Sequence, residues 1–280
     1  MTPEGASITI GLPEEQADFA RRNVRFFEVW PRLRDTIDRA FFRQFTPSDA
    51  AQKVIFTLGR LAVEDFMEIM VVCGNGYGMA GLKLLRPMFE ATVTARYLRE
   101  NPAEAEAFLE YYYVHQRKAL RLAETVGIDL SAQISQAQRD EVEKTYQGIR
   151  HRYRQVVCDD CGSERELASW TRKDMVTMAR EVGLAESILS LYFLPTLQIH
   201  TTPVRLTSRL EETAAGVAFK SGPQRGEADA VLTGAHVCLA LVLEDQEQHF
   251  GLGLDVEGLR RDVQYAWPVQ ADEPKAKGDA

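Results

Sequence analysis

The sequence predicts an all-α fold, a single-domain helical bundle of about seven to nine helices. Apolar residues recur at three- and four-residue spacing through most of the chain, which is the period of an amphipathic helix. No alternation of polar and apolar residues recurs from segment to segment, so we expect at most one short β-hairpin or strand, near residues 215–222. No linker divides the chain. We therefore expect a disordered N-terminus at 1–12, one helical domain at 13–266 and a disordered tail at 267–280.

Five helices are predicted in the first half of the chain. Pro31 is expected to kink or split the first of them. Ser48 is a good N-cap for the second, which ends at the tight turn GNGYG, residues 74–78. The five predicted helices cover residues 14 to about 45, Ser48 to the turn, about 79–100, about 102–126 and 131–156.

The second half contains a loop, shorter helices and one long connection. CDDCGSERELAS, residues 158–169, is predicted to be a loop, and residues 201–226 a long connection with a short strand in GVAFKSG. The uncharged runs at 187–199 and 230–243 predict the two most buried helices, since a helix that is apolar all round is usually buried. The helices predicted here cover residues 171–182, 185–199, 229 to about 250 and about 255–264.

The charge and the apolar runs limit the classes of partner. The formal net charge of -8 opposes broad electrostatic binding to nucleic acid, although Arg150, Arg152 and Arg154 form a local basic cluster that fits a phosphate backbone. The longest uncharged run is interrupted by Pro195 and is too short for the roughly 20 apolar residues of a membrane span. Without a recognisable secretory signal, the protein is expected to be cytoplasmic and not membrane-bound.

The cysteines predict no disulfide framework and no metal site. Cys73 and Cys238 lie in apolar runs, which is typical of small core residues. Cys158 and Cys161 have the spacing of metal ligands, but a structural zinc site needs four ligands and His151 is the only histidine nearby. We expect no metal and no cofactor, with a zinc site shared between two subunits as the alternative.

Arg86 and Glu90 in LLRPMFEATVTARYL, residues 84–98, are the first candidate site residues. They are four residues apart and so share one helical face, together with Tyr97 and apolar residues. A buried charge is costly unless it is paired. The pattern predicts either a structural ion pair or a polar cavity in which Arg86, Glu90 and Tyr97 bind a ligand.

His200 ends the most apolar segment of the chain, SLYFLPTLQIH. A charged imidazole is favoured at the C-terminus of a helix, and a neutral one acts as a base or a ligand near pH 7. The alternative interpretation is a capping or core histidine that hydrogen-bonds locally. We expect His200 to point into a cavity shared with Arg86 and Glu90.

Two segments carry a resemblance to a known family. SWTRKDMVTMAREVGLAESILSLYFLPTLQIHTTPVRL contains a Trp, a short helix that ends near Gly and an apolar helix that ends in His, here Trp170, Gly183 and His200. This pattern, with the Arg-x3-Glu helix at Arg86 and Glu90, resembles a bacterial family known as domain of unknown function 5677.

The resemblance, over roughly residues 50–245, implies an all-helical fold and no established activity. It picks out Arg86, Glu90 and His200 together. A more distant likeness is to HEPN-type helical proteins, many of which are metal-independent ribonucleases in toxin and phage-defence systems. Those enzymes need an Arg four to six residues before a His on one helix, and no histidine here has that spacing.

Three roles fit the candidate residues, and whether the protein is an enzyme is left undecided. The main hypothesis is a ligand-binding or partner-binding, regulatory module, with Arg86, Glu90, Tyr97 and His200 around a small molecule or a protein segment. The alternative is a ribonuclease or phosphodiesterase, with His200 as general base, Arg86 holding the phosphate and Glu90 as the third catalytic residue. The third is a buried network that fixes helix register. A homodimer is compatible with all three.

Overall fold

The computed structural model describes residues 11–158, 160–214 and 216–268. Within these residues the chain forms eleven α-helices and two separate two-stranded antiparallel sheets, so the prediction of an all-α fold with a small β element is confirmed. The segments predicted to be disordered, 1–12 and 267–280, lie mostly outside the described residues.

The helices and strands follow the chain in this order. The α-helices are α1 (Pro13–Arg22), α2 (Val24–Phe41), α3 (Ala50–Gly74), α4 (Gly78–Glu100), α5 (Ala105–Thr125), α6 (Gln136–Ile149), α7 (Met175–Glu181), α8 (Leu194–Ile199), α9 (Pro203–Thr207), α10 (Arg225–Phe250) and α11 (Val256–Ala266). The strands are β1 (Arg154–Val156), β2 (Glu164–Glu166), β3 (Leu210–Thr213) and β4 (Gly216–Phe219). A π-helix at Ile188–Phe193 precedes α8.

The three longest helices, α3, α4 and α10, pack against one another and form the core. The run predicted to be the most buried, 230–243, lies in α10, where most of its side chains are inaccessible to solvent. A glycine allows the start of α4 to lie directly against α10. A Cβ atom on Gly78 would lie 2.4 Å from the backbone nitrogen of Ala228, so only glycine lets α4 begin against α10.

The first half of the chain departs from the prediction at several helix boundaries, and the helix predicted at 131–156 extends only from Gln136 to Ile149. The first helix breaks at Asn23 and not at Pro31, which lies inside α2. The side-chain amide of Asn23 donates to the carbonyl of Phe19 over 3.0 Å and stabilises this break. Asp49, one residue after the predicted cap, caps α3 by accepting from the Gln52 N–H over 2.8 Å.

The β elements are two hairpins. β3 and β4 pair within the long connection, which confirms the short β element expected near residues 215–222. β1 lies at the end of the segment predicted to be helix, 131–156, and β2 lies in the segment predicted to be a loop. The two strands pair over three residues, with Arg154 opposite Glu166. A register this short is not visible as a periodic sequence pattern.

The apolar segment 187–199 is not one of the most buried helices, and this prediction is wrong. Only Leu191, Pro195 and Gln198 of this segment are buried, whereas Phe193 and Leu189 are exposed. One side of the segment packs against α4, and none of the described residues covers the opposite side. Its backbone is also irregular, since the Leu194 N–H donates to the carbonyl of Leu189, five residues earlier.

One described helix, α10, is long and apolar enough to cross a membrane by length and composition. Its most apolar 18-residue window has a mean hydropathy of 1.4, and 56% of that window is buried inside the protein. Because core helices of this kind pass the same test, the helix is weak evidence for a membrane span. The expectation of a cytoplasmic protein stays a prediction.

Candidate functional site

Arg86 and Glu90 form the ion pair that their spacing predicts. The Arg86 Nε donates to Glu90 Oε1 over 2.7 Å on the surface of α4 that faces α7 and the π-helix. The Arg86 guanidinium also lies over the ring of Tyr192, 4.9 Å from its centroid. Both charged side chains are partly buried, so the pair is held in a defined position and does not move freely in solvent.

A cavity of about 680 Å³ surrounds this pair, which is a size typical of small-ligand sites. It lies between α3, α4, the start of α5, α7 and the π-helix. Both charged and aromatic side chains line it. Its charged and aromatic lining residues include Asp65, Arg86, Glu90, Trp170, Lys173, Asp174 and Tyr192.

Asp65 is a charged group of this cavity that was not predicted from the sequence. It lies on α3, is partly buried, and takes part in no ion pair and no side-chain hydrogen bond with the described residues. Burial, together with the like charges of Glu68 and Glu64, raises the pKa of this carboxyl to about 6. Three carboxylates within one helical turn, in VEDFMEI, were the signal that could have identified it.

The other charged groups of the cavity have partners. Lys173 donates to Glu181 over 2.7 Å, and this hydrogen bond raises the pKa of the lysine. The Asp174 side chain caps α7 by accepting from the Thr177 N–H, a bond that lowers the pKa of that carboxyl. Arg86 is paired with Glu90. Among the described residues that line the cavity, Asp65 is therefore the one charged group with neither an ion pair nor a hydrogen bond to its side chain.

Tyr97 lies behind the wall of the cavity and not in its lining. Its ring is fully buried and its hydroxyl donates to Glu104 over 2.6 Å; burial raises the pKa of this hydroxyl, as does the bond to Glu104. The rings of Tyr97 and Phe108 meet Trp170 edge-on, at centroid distances of 6.0 and 5.4 Å. Tyr97 thus supports Trp170, and the prediction that it contacts a ligand directly is not matched by its position.

His200 does not line the cavity that holds Arg86 and Glu90, so the shared cavity expected from the sequence is not found among the described residues. It is the C-cap of α8, in an extended backbone conformation, and its side chain is exposed. The extended conformation ends the helix at His200. The neighbouring Thr201 and Thr202 line a different cavity, which also includes Gln198.

The basic cluster 150–154 is largely neutralised. Arg152 pairs with Glu110 over 2.6 Å and Arg154 with Glu164 over 3.0 Å, while Arg150 donates to Gln147. Carboxylates thus take up charge that a phosphate backbone would need. Contact of these arginines with nucleic acid stays a prediction.

The cysteines are free, and two of them are core residues as predicted. Cys73 and Cys238 are fully buried, and burial raises the pKa of both thiols to about 12. Cys161 is exposed, and hydrogen bonds from Ser163 and from Cys158 lower the pKa of its thiol to about 7. Among the described residues no group of three or more His, Cys, Asp or Glu is arranged to hold a metal ion.

The fold and this cavity define an all-helical protein with a partly buried, polar site between core helices and a surface segment. The chain belongs to the family of unknown function DUF5677, whose family model matches residues 52–217. That range includes Arg86, Glu90 and His200, and it begins in α3 and ends in β4. No curated protein and no solved structure matches the chain.

Proposed function

We propose that this protein is a binding module for a small organic cation, which it holds in the cavity beside Arg86 and Glu90. The observation that carries the proposal is the carboxylate of Asp65. It is partly buried in the cavity without a cationic partner among the described residues, whereas the two cations of the lining are already paired. A ligand that brings an ammonium or guanidinium group would supply the missing partner.

The aromatic side chains suggest what the rest of the ligand is like. Trp170 and Tyr192 line the cavity and are partly buried. Tyr192 is held by the guanidinium of Arg86, and Trp170 by the edges of Tyr97 and Phe108. Side chains held in this way offer a fixed apolar surface at low entropic cost. An amine with a flat apolar body suits a lining that contains both Asp65 and these aromatic side chains.

A ribonuclease or phosphodiesterase has less support from the geometry. That mechanism needs a proton-transfer group and a phosphate-binding cation at one scissile bond. His200 is exposed and outside the lining of this cavity, and Arg86 donates to Glu90 instead of standing free for a phosphate. We therefore propose binding and not cleavage for this site, with regulation of a partner as its use.

The test is a calorimetric titration of the purified full-length chain at pH 7.5 with tyramine and phenethylamine, aromatic amines that fit the cavity. Phenylacetate, which carries a carboxylate in place of the amine, is the matched control ligand. We expect the amines to bind and phenylacetate not to bind. Asp65→Asn should weaken amine binding at least tenfold, since hydrogen bonds to charged groups contribute roughly 1.5–3 kcal/mol.

Asp35→Asn is the matched control variant, because Asp35 is an exposed aspartate on α2 outside the cavity. It should bind the amines like the wild type. Equal affinity for the amines and phenylacetate, no binding of either amine, or unchanged affinity in Asp65→Asn would each contradict the proposal. Native mass spectrometry of the same sample shows any co-purified ligand, and it also reports whether the protein is a homodimer.

A further inference from the structure

A second cavity, of about 760 Å³, lies at the opposite end of the 188–202 segment, where α4 and α10 begin. Its walls come from the turn before α4, the end of α8, α9, β4 and the residues before α10. None of the candidate residues Arg86, Glu90, Tyr97 and His200 lines it. It is separate from the site of the proposed function.

Among the residues that the structure describes, three cationic side chains and no carboxylate line this cavity. The cations are Lys83 on α4, Arg205 on α9 and Arg209 after it. None of the three takes part in an ion pair with a described residue, although most arginines of this acidic protein are paired with Asp or Glu. Arg209 is held by the ring of Phe219, 4.9 Å from the guanidinium carbon. Unpaired cations around one cavity create a positive potential that favours an anion.

Two long helices add their positive ends to this potential. Tyr77 and Gln224, the residues that precede α4 and α10, both line the cavity, and neither helix has a side-chain cap. The turn GNGYG brings the two helix ends together, since the Gln224 N–H donates to the carbonyl of Gly76 over 2.8 Å. Uncapped N–H groups at the start of a helix bind anions, and phosphates in particular.

Gln198 adds a polar group to the wall of this cavity. The residue is 9% exposed, and its amide takes part in no hydrogen bond with the described residues. The amide nitrogen and oxygen are open to the cavity, so a ligand there can accept a hydrogen bond from Gln198 or donate one to it.

We propose that this cavity binds a phosphate ester of about nucleotide size. Two arginines suit a phosphate, because the guanidinium group makes paired hydrogen bonds to its oxygens. The volume exceeds what a phosphate ion needs, and Tyr77, Leu206 and Phe219 supply an apolar wall for the organic part of the ligand. The anion lies against the cations, Gln198 and the two helix ends.

The experiment is a calorimetric titration of the full-length protein with AMP, ADP and glucose 6-phosphate, at fixed ionic strength. Adenosine and glucose serve as the partners without phosphate. At least one phosphate ester should bind, and its partner should bind at least tenfold more weakly. Arg205→Gln and Arg209→Gln should each reduce the affinity for that ester about tenfold or more.

Arg180→Gln is the matched control, since Arg180 is exposed on α7 and lies outside this cavity. It should bind the ester like the wild type, and so should Asp65→Asn, which tests the other site. The proposal is overturned if no ester binds more tightly than its partner, or if the two arginine variants bind like the wild type. Binding of a 5′-phosphorylated RNA oligonucleotide without binding of any ester would also overturn it, in favour of a nucleic-acid end.

Discussion

Replacing Asp65 by asparagine should stabilise the folded protein at neutral pH. Burial raises the pKa of this carboxyl from 3.8 to about 6, and no cation compensates its charge among the described residues. Asparagine has nearly the same shape and no charge, so it removes the cost of holding an uncompensated carboxylate between α3 and the cavity wall. A group that destabilises its own fold is typical of a functional site.

The magnitude and its pH window follow from the two pKa values. A rise from 3.8 to about 6 corresponds to about 3 kcal/mol at 1.36 kcal/mol for each pH unit. Because Asp65 borders an open cavity, solvent screening reduces this to about 1–1.5 kcal/mol. The folded state binds the proton more tightly than the unfolded state, so wild-type stability falls as pH rises from about 4 to 6. The advantage of the Asn variant therefore appears across that window and is constant above it.

The measurement is urea denaturation of the wild type and of Asp65→Asn at pH 4.5, 5.5, 6.5 and 7.5. Asp35→Asn, which changes the same charge on an exposed part of α2, should stay within about 0.5 kcal/mol of the wild type throughout. A destabilised Asp65→Asn at pH 7.5 would refute the reasoning, since it would mean that the carboxylate has a stabilising partner. So would a difference between the two proteins that does not change with pH.

Two further predictions concern the core. Gly78→Ala should destabilise the protein by about 2–3 kcal/mol, because the new Cβ would lie 2.4 Å from the Ala228 backbone nitrogen. Gly148→Ala is the control, since no atom lies within 4 Å of its Cβ, and it should be neutral or stabilising by up to about 1 kcal/mol in the same denaturation assay. Equal effects of the two substitutions would contradict this. Burial lowers the pKa of His236 from 6.5 to about 4, so the unfolded state binds its proton more tightly than the folded state. The free energy of unfolding should therefore be highest above about pH 6.5 and should fall as the pH is lowered to 4. In His236→Gln that loss, followed by urea denaturation, should be reduced; an unchanged pH profile would show that other groups cause it.

The parts of the fold that local sequence determines were predictable. The uncharged run in α10, the GNGYG turn and the i,i+4 spacing of Arg86 and Glu90 each specify a local structure, and each is found. The end of the helix at His200 was predictable, but the path of the chain after α8 depends on tertiary packing, so the sequence did not show that His200 lies outside the cavity of Arg86 and Glu90. Asp65 was missed for a related reason, since its burial depends on residues 168–178 and on Tyr192, which are distant in sequence.

The segment 188–202 explains why composition was misleading there. Its apolar character resembles that of a core helix, yet it borders two cavities: Tyr192 lines the one that contains Asp65, and Gln198 lines the one that contains the cations. A segment in this position must pack on α4 with one side while its other residues remain accessible to the cavities or to solvent. The π-helix makes this possible, because its extra residue per turn changes the direction in which the following side chains point. The apolar run therefore fits a wall between the two cavities. Side chains of the wall that contact neither α4 nor a cavity, such as Phe193, are exposed to solvent.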